Sequence, residues 1–320
     1  MAKLKIIYDT DPGIDDAMAL LLLARHPGVD LIGVTTVFGN ATIATVTRNA
    51  LYLKQLFGFA APVAQGASRA LGATSDPAAT AHVHGENGLG DIPIPPIIEK
   101  ADPRSASRLI IDLVRANPGE VTIVAVGRMT NLAQAIADDP GIVPLVKGVV
   151  VMGGAFGRNG HSGNVTPVAE ANIIGDPGAA DIVFGAAWPM TIIGLDVTME
   201  SVMDDAYIDA LGRDGGKDGK FLHDVSRFYR KFYSNEGIEG ITVHDSSAVA
   251  AALHPDMFGY LEGQVRVVTD GVARGQTIVR PTGRYIRAQG FDGRPTCKVA
   301  VKVDSSAFLE FYRDTILGKA

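Results

Sequence analysis

Apolar runs and helically spaced stretches alternate through the first two hundred residues, and each run breaks off at a polar or glycine-bearing turn. Ile6, Ile7 and Tyr8 make a short strand that runs into Asp9-Thr10-Asp11-Pro12-Gly13. The Pro-Gly pair marks a turn, and a helix follows with Asp15 and Asp16 in its first turn. A β-branched run from Val29 ends at Asn40. Ala44 to Phe57 then carries Val46, Ala50, Leu53 and Leu56 or Phe57 at the spacing of one helix face. Ala61 to Ala64 predicts a short strand and Arg108 to Arg115 a helix, and the wholly apolar Val121 to Val126 predicts a strand buried on both faces. The pattern continues with a helix over Gly127 to Ala137, a strand over Val146 to Ala155, a helix over Pro177 to Phe184 and a strand over Met190 to Leu195. Beyond it the chain reads as helical to Leu253, strand-like at Gln264 to Val268 and Val299 to Val303, and helical from Ser305.

Two stretches fall outside this rhythm. Gly66 to Pro96 is long and irregular, a length that usually signals a functional loop. GRDGGKDGK, Gly212 to Lys220, reads as a flexible surface loop. No linker, low-complexity segment or internal repeat divides the chain. The expectation is an α/β fold: one domain over residues 1–320, built on an open, mostly parallel (mixed) central sheet with helices on both faces.

Composition narrows the function classes. The 320 residues, 47% hydrophobic and 20% charged, suffice for a large core. MAKLK leads directly into a strand, with no apolar leader, and no apolar run approaches the roughly 20 residues of a membrane span. One cysteine, Cys297, excludes an internal disulfide and a cysteine zinc cluster. These features predict a cytoplasmic protein. A net charge of −6 supplies no basic stripe for phosphates, so the expected partner is a small molecule and not nucleic acid or a membrane.

The candidate chemistry gathers at strand ends. Asp9, Asp11, Asp15 and Asp16 place four carboxylates in eight residues. The helix dipole accounts for one or two of them. Four packed together raise one another's pKa unless a cation neutralises them, and all-oxygen ligation suits Ca²⁺ or Mg²⁺. Asn40 closes the second strand, and Asn164, Glu170 and Asn172 follow the strand that ends near Met152. In an open α/β sheet these carboxyl-terminal ends face one crevice. Taken singly, Asn40 reads as a turn residue and Met152 as core. In TVHDSSAVA, Asp245 reads as a helix N-cap and His244 as a structural histidine. Collectively they predict a site.

DTDPGIDDAMAL resembles the N-terminal signature of the nucleoside hydrolases. AHVHGENGLGD, AVGRMTNLA, VVVMGGA, GNVTPVAEANIIGDP and TVHDSSAVA resemble further segments of that family, in order, from residue 5 to about 253. The resemblance implies the nucleoside hydrolase fold, cleavage of the N-glycosidic bond of ribonucleosides, and assembly as a homodimer or homotetramer. It implies Ca²⁺ held by Asp11, Asp16, Asp245 and the carbonyl of Val126. Asp15 would accept a ribose hydroxyl, Asn40, Met152, Asn164, Glu170 and Asn172 would line the sugar pocket, and His84 would lie near the base. Two positions depart from the pattern. Val126 stands where threonine is frequent, a harmless change for a carbonyl ligand, and Ala171 stands where an aromatic residue is frequent. Trp188, the only tryptophan, reads as core.

Breaking this bond builds positive character on the ribose and negative charge on the base. Asp11 is the candidate general base on a metal-activated water, and His244 the candidate leaving-group acid, with His84 and Tyr229 next in line. Two other readings compete. A haloacid-dehalogenase-type phosphatase would use Asp9, Asp11, Asp176 and Asp181, although Pro12-Gly13 replaces the expected turn and no phosphate-binding lysine segment stands out. A nucleoside or sugar sensor would need neither Asp11 nor His244.

Overall fold

The computed structural model describes residues 2–75, 81–283 and 289–319. In chain order the elements are β1 (Leu4–Thr10), α1 (Ile14–Arg25), β2 (Val29–Thr36), α2 (Ile43–Phe57), β3 (Val63–Gln65), α3 (Ala81–His84), α4 (Ala106–Ala116), β4 (Val121–Ala125), α5 (Thr130–Asp138), β5 (Gly148–Met152), α6 (Ala171–Gly175) and α7 (Pro177–Gly185). They continue with β6 (Met190–Ile193), α8 (Leu195–Thr198), β7 (Val202–Met203), α9 (Asp205–Asp214), α10 (Gly216–Asn235), β8 (Ile241–Thr242), α11 (His244–Leu253), β9 (Phe258–Val267), β10 (Thr277–Pro281), β11 (Cys297–Val303) and α12 (Ser305–Ile316).

Nine strands form one sheet in the order β10-β9-β11-β6-β5-β4-β1-β2-β3, and β7 and β8 form a separate antiparallel pair. β1 lies parallel to both β2 and β4. Parallel pairing continues to β3 on one side and through β5 and β6 to β11 on the other. β9 runs against its neighbours β10 and β11. The sheet is therefore mixed and mostly parallel, as expected. Its connections lead from β1 out to β2 and β3, then back past β1 to β4. The order thus reverses between β1 and β4, and the crevice outside their carboxyl ends is the natural ligand site.

The two-residue period of β1 divides the core. Ile6 and Tyr8 pack on one face with α1, α2, α10, α11 and α12, while Ile7 packs on the other with α4, α5 and α7. β4 repeats the division, Val124 on the first face and Ile123 and Ala125 on the second. α1 carries Leu20, Leu21, Leu22 and Leu23 in succession, all buried. A helix apolar all round is one covered on every side, and truncating any of these leucines to alanine costs about 2–5 kcal/mol. That rigid helix carries Asp15 and Asp16 at its open end.

Several boundaries differ from the pattern reading. The second strand stops at Thr36, since Val37 to Asn40 must turn across the crevice, and the fifth stops at Met152. Gly212 to Lys220 is not a loop: α9 runs to Asp214 and α10 starts at Gly216. Its glycines serve a tight junction, for a Cβ at Gly219 would collide with the carbonyl of Leu211. Asp245 is not an N-cap, because α11 begins one residue before it. β9 starts earlier than Gln264, and β10 escaped the reading altogether. Within Gly66 to Pro96 a short helix, α3, bears His84; residues 76–80 of that stretch lie outside the described ones. Trp188 is core, its Nε1 donating to the carbonyl of Val183. Among the described residues no helix is long and apolar enough to cross a membrane.

Candidate metal and substrate site

The β1–α1 turn sets the geometry. Asp16, in the first turn of α1, reaches back over it. Its Oδ1 accepts from Thr10 Oγ1 at 2.5 Å and the Asp11 N–H at 3.1 Å, and its Oδ2 from the Gly13 N–H at 3.0 Å and Asn40 Nδ2 at 2.9 Å. Asp11 Oδ2 accepts from the backbone N–H of Asn40 at 2.8 Å, while its Oδ1 is buried without a partner. Gly39 and Gly127 lie flat against the Asp11 carboxylate, and a Cβ on either would collide with it. A Cβ on Gly13 would come within 2.7 Å of both Asn40 and His84. Glycine is needed at these positions for close approach.

Asp245, at the open end of α11, meets this turn from the far end of the chain. Asp15, Asp16 and Asp245 bring carboxylate oxygens within 4.8 Å of one another. Asp15 Oδ2 accepts from Tyr229 OH at 3.3 Å, and its Oδ1 is buried without a partner. Burial raises the pKa of Asp11 well above the usual carboxylate range, and the charge of Asp16 raises it further. Burial, then Asp15, Asp16 and Asp11, do the same to Asp245, and burial and Asp16 to Asp15. Buried carboxylates this crowded, with free oxygens and no ion pair among the described residues, fit a divalent cation. The triad contains Asp15 and omits Asp11, whose free oxygen is buried in the same turn. The carbonyl of Val126 accepts from Asn172 Nδ2 at 2.6 Å, on the same crevice.

Asp9 belongs elsewhere. It lies on the face of Ile7, where its Oδ1 accepts from Thr35 Oγ1 at 2.5 Å and Asn131 Nδ2 at 2.8 Å, and burial pushes it up to about 7. Asn131 also reaches the carbonyl of Thr36 and the N–H of Ala67, so it ties together the ends of β1, β2 and β3. Asp176 caps α7 and receives Thr130 and the Leu71 N–H, and Asp181 pairs with Arg266 and Arg294. Three of the four acids a phosphatase would need, Asp9, Asp176 and Asp181, are thus held by structural partners.

On the sugar side, Glu170 is the N-cap of α6. Its oxygens accept from the N–H groups of Asn172, Ile173 and Gly154 at 2.9 to 3.1 Å. Asn172 also contacts the carbonyl and sulfur of Met152. Asn164 is exposed at the rim, its Oδ1 accepting from the Ala171 N–H. On the base side, His84 accepts from the Ile14 N–H at 3.2 Å and stacks on Tyr229, ring centroids 5.5 Å apart.

His244 is buried behind these rings. Its Nδ1 is 2.7 Å from Thr198 Oγ1, and its Nε2 is 2.7 Å from Tyr233 OH and 2.8 Å from Thr242 Oγ1. Tyr233 OH donates to Tyr229 OH at 3.3 Å, and Tyr229 OH to Asp15. The tyrosine hydroxyls therefore require the proton on His244 Nε2, and every donor from Thr198 onward points toward the crevice. Burial lowers the imidazole to about 4, so it is neutral at pH 7. Sequence reading missed Tyr233, Thr198 and Asn131. Only Tyr233 carried a signal, one helical turn after Tyr229.

The comparisons with known proteins point to one family. The family model described as inosine-uridine preferring nucleoside hydrolase matches residues 6–310. Uridine nucleosidase 1 of Arabidopsis thaliana is 40% identical over 316 residues, covering 98% of this chain and 93% of that protein. A solved plant nucleoside hydrolase, PpNRh1, superposes with a TM-score of 0.94 at 36% identity, over 98% of this chain and 99% of its own. A purine-preferring ribonucleoside hydrolase from Gardnerella vaginalis reaches a TM-score of 0.90 at 36% identity, again over 98% and 99%. The chain belongs to the inosine-uridine preferring nucleoside hydrolases, enzymes that hydrolyse the N-glycosidic bond of ribonucleosides.

Proposed function

We propose that the crevice between β1, β4 and α11 holds Ca²⁺ on Asp11, Asp16, Asp245 and the carbonyl of Val126, and that Asp15 binds a ribose hydroxyl beside it. The observation that carries this reading is the packing of these buried carboxylates with no ion pair to any of them among the described residues. A hard divalent ion there supplies charge for an acidified water and anchors vicinal hydroxyls. Asn172, Met152, Glu170 and Asn164 line the rest of the sugar pocket, and Asn40 orients the Asp11 carboxylate through its backbone N–H.

Asp11 is the proposed general base: its free Oδ1 accepts the proton of the attacking water. His84 and Tyr229 form the proposed platform for the base. The leaving group is protonated from the donor chain. Tyr229 gives its proton to the departing nitrogen, Tyr233 replaces it, and His244 Nε2 replaces that of Tyr233. His244 regains a proton at Nδ1 through the Thr198 hydroxyl, which is itself reprotonated from solvent, so that the one proton delivered to the base is matched by the one the attacking water releases through Asp11. His244 thus acts at one remove, which reconciles a leaving-group acid with a buried, neutral imidazole. A non-catalytic sensor would need no directed donor chain.

The relatives at 36–40% identity are named for uridine and for purines, so both kinds of nucleoside enter the test. On family resemblance we place the enzyme in the cytoplasm as a homodimer or homotetramer. The test is ribose release from uridine and inosine before and after chelation. Activity is expected to fall with removal of the ion and to return with Ca²⁺; full activity in a metal-free enzyme refutes the site.

A further inference from the structure

Arg128 is the charged group beside the crevice that this mechanism leaves unused. It follows Gly127, whose Cα lies so close to Asp11 that a Cβ would come within 2.6 Å of Oδ1. Its guanidinium lies over the ring of the buried Phe38, 4.4 Å from the centroid, and presses on Gly175, where any Cβ would collide with it. Nη1 is buried with no hydrogen-bond partner, and no ion pair to Arg128 occurs among the described residues. Yet Arg128 is the cation whose charge Asp11 and Glu170 feel most strongly.

A guanidinium this enclosed normally forms a fork with a carboxylate. Such a fork on Asp11 would occupy the oxygen that must stay free. Stacking on Phe38 holds the cation to one side, so that its charge reaches the acids while its N–H groups do not. We propose that Arg128, stacked on Phe38, is a positioning residue for metal loading. It offsets the buried carboxylates of Asp11 and Glu170, the acids of the crevice that feel its charge, before a divalent ion binds. Once the ion is in place Arg128 repels it, which keeps the affinity low enough for exchange. The inference rests on the metal reading above.

The experiment measures the Ca²⁺ dissociation constant by calorimetry on chelator-stripped protein at pH 8, together with Tm with and without Ca²⁺, for wild type, Arg128→Gln, Arg128→Met and Arg128→Lys. The neutral variants are expected to bind Ca²⁺ on the order of tenfold tighter, the effect of removing a unit charge facing a divalent ion in a partly buried site. Their metal-free Tm should fall while the Ca²⁺-loaded Tm recovers, so the gain on loading exceeds that of wild type. Arg128→Lys keeps the charge and should match wild type in affinity. A neutral variant that folds only with Ca²⁺ supports the assignment equally. Unchanged affinity with Tm lowered by the same amount in both states makes Arg128 a packing residue and overturns it. A wild type that binds no divalent ion overturns the metal reading itself, an outcome visible before any variant is made.

Discussion

Asp16→Asn is the sharpest test of how the β1–α1 turn is built. Each Asp16 oxygen accepts one backbone N–H, that of Asp11 on Oδ1 and that of Gly13 on Oδ2. It also accepts one rotatable donor, Thr10 Oγ1 on Oδ1 and Asn40 Nδ2 on Oδ2. The hydroxyl and the amide can turn elsewhere, but the two N–H groups cannot. An asparagine has a single acceptor oxygen, so in either orientation its amide faces one buried backbone N–H with another donor. Leaving one buried donor unpaired costs about 1–3 kcal/mol. The lost repulsion with Asp15 and Asp245 offsets part of this, so the expected loss in the metal-free state is about 1–2 kcal/mol. The larger effect is on loading, since the variant removes a ligand charge from the triad. Urea unfolding in chelator and in Ca²⁺ measures both. Wild type should gain stability from Ca²⁺ and the variant little or none. A variant as stable as wild type in chelator, with the same gain on Ca²⁺, would refute the role given to Asp16.

Three further outcomes follow from the same geometry. His244 is lowered to about 4 in the folded state from 6.5, so the unfolded chain binds the extra proton between those values. Its contribution to stability is therefore complete above pH 6.5 and is lost as pH falls toward 4, by about 3 kcal/mol; the urea midpoint of His244→Gln should fall less steeply over that window than that of wild type, and parallel curves would contradict the buried neutral imidazole. If Asp15 binds a ribose hydroxyl, uridine should exceed 2′-deoxyuridine in kcat/KM by roughly 10⁴-fold or more, and equal values would remove Asp15 from that role. His244→Ala should slow hydrolysis of uridine and inosine by about 10²–10⁴-fold, yet barely affect a riboside with a phenolate leaving group, which departs without a proton; equal losses on both would show that His244 positions the sugar instead.

The strand, turn and helix from Leu4 to Arg25 were legible in the residues themselves, because their signals are local: a β-branched and aromatic run, Pro12-Gly13, then acids at a helix start. The parity of Ile6, Ile7 and Tyr8 even contains the two core faces, and the alternation of elements implies a mostly parallel sheet with its crevice at the strand ends. What parity could not say is that Asp9 turns away from Asp11, toward Asn131, because the partner lies 122 residues on. The acidic triad depends on α11 packing beside α1, a contact between helices over two hundred residues apart. The donor chain from Thr198 through His244 to Asp15 joins four separate elements, and no spacing encodes it. Gly212 to Lys220 misled because glycine marks both mobile loops and close-packed junctions, and only the Leu211 carbonyl against Gly219 distinguishes the two. Nothing in the residues around Arg128 announces its stacking partner, because Phe38 lies on a distant turn. Local chemistry determined which residues could serve; the burial that leaves Asp11 Oδ1 and Asp15 Oδ1 without partners arises only when distant elements exclude water from the same crevice.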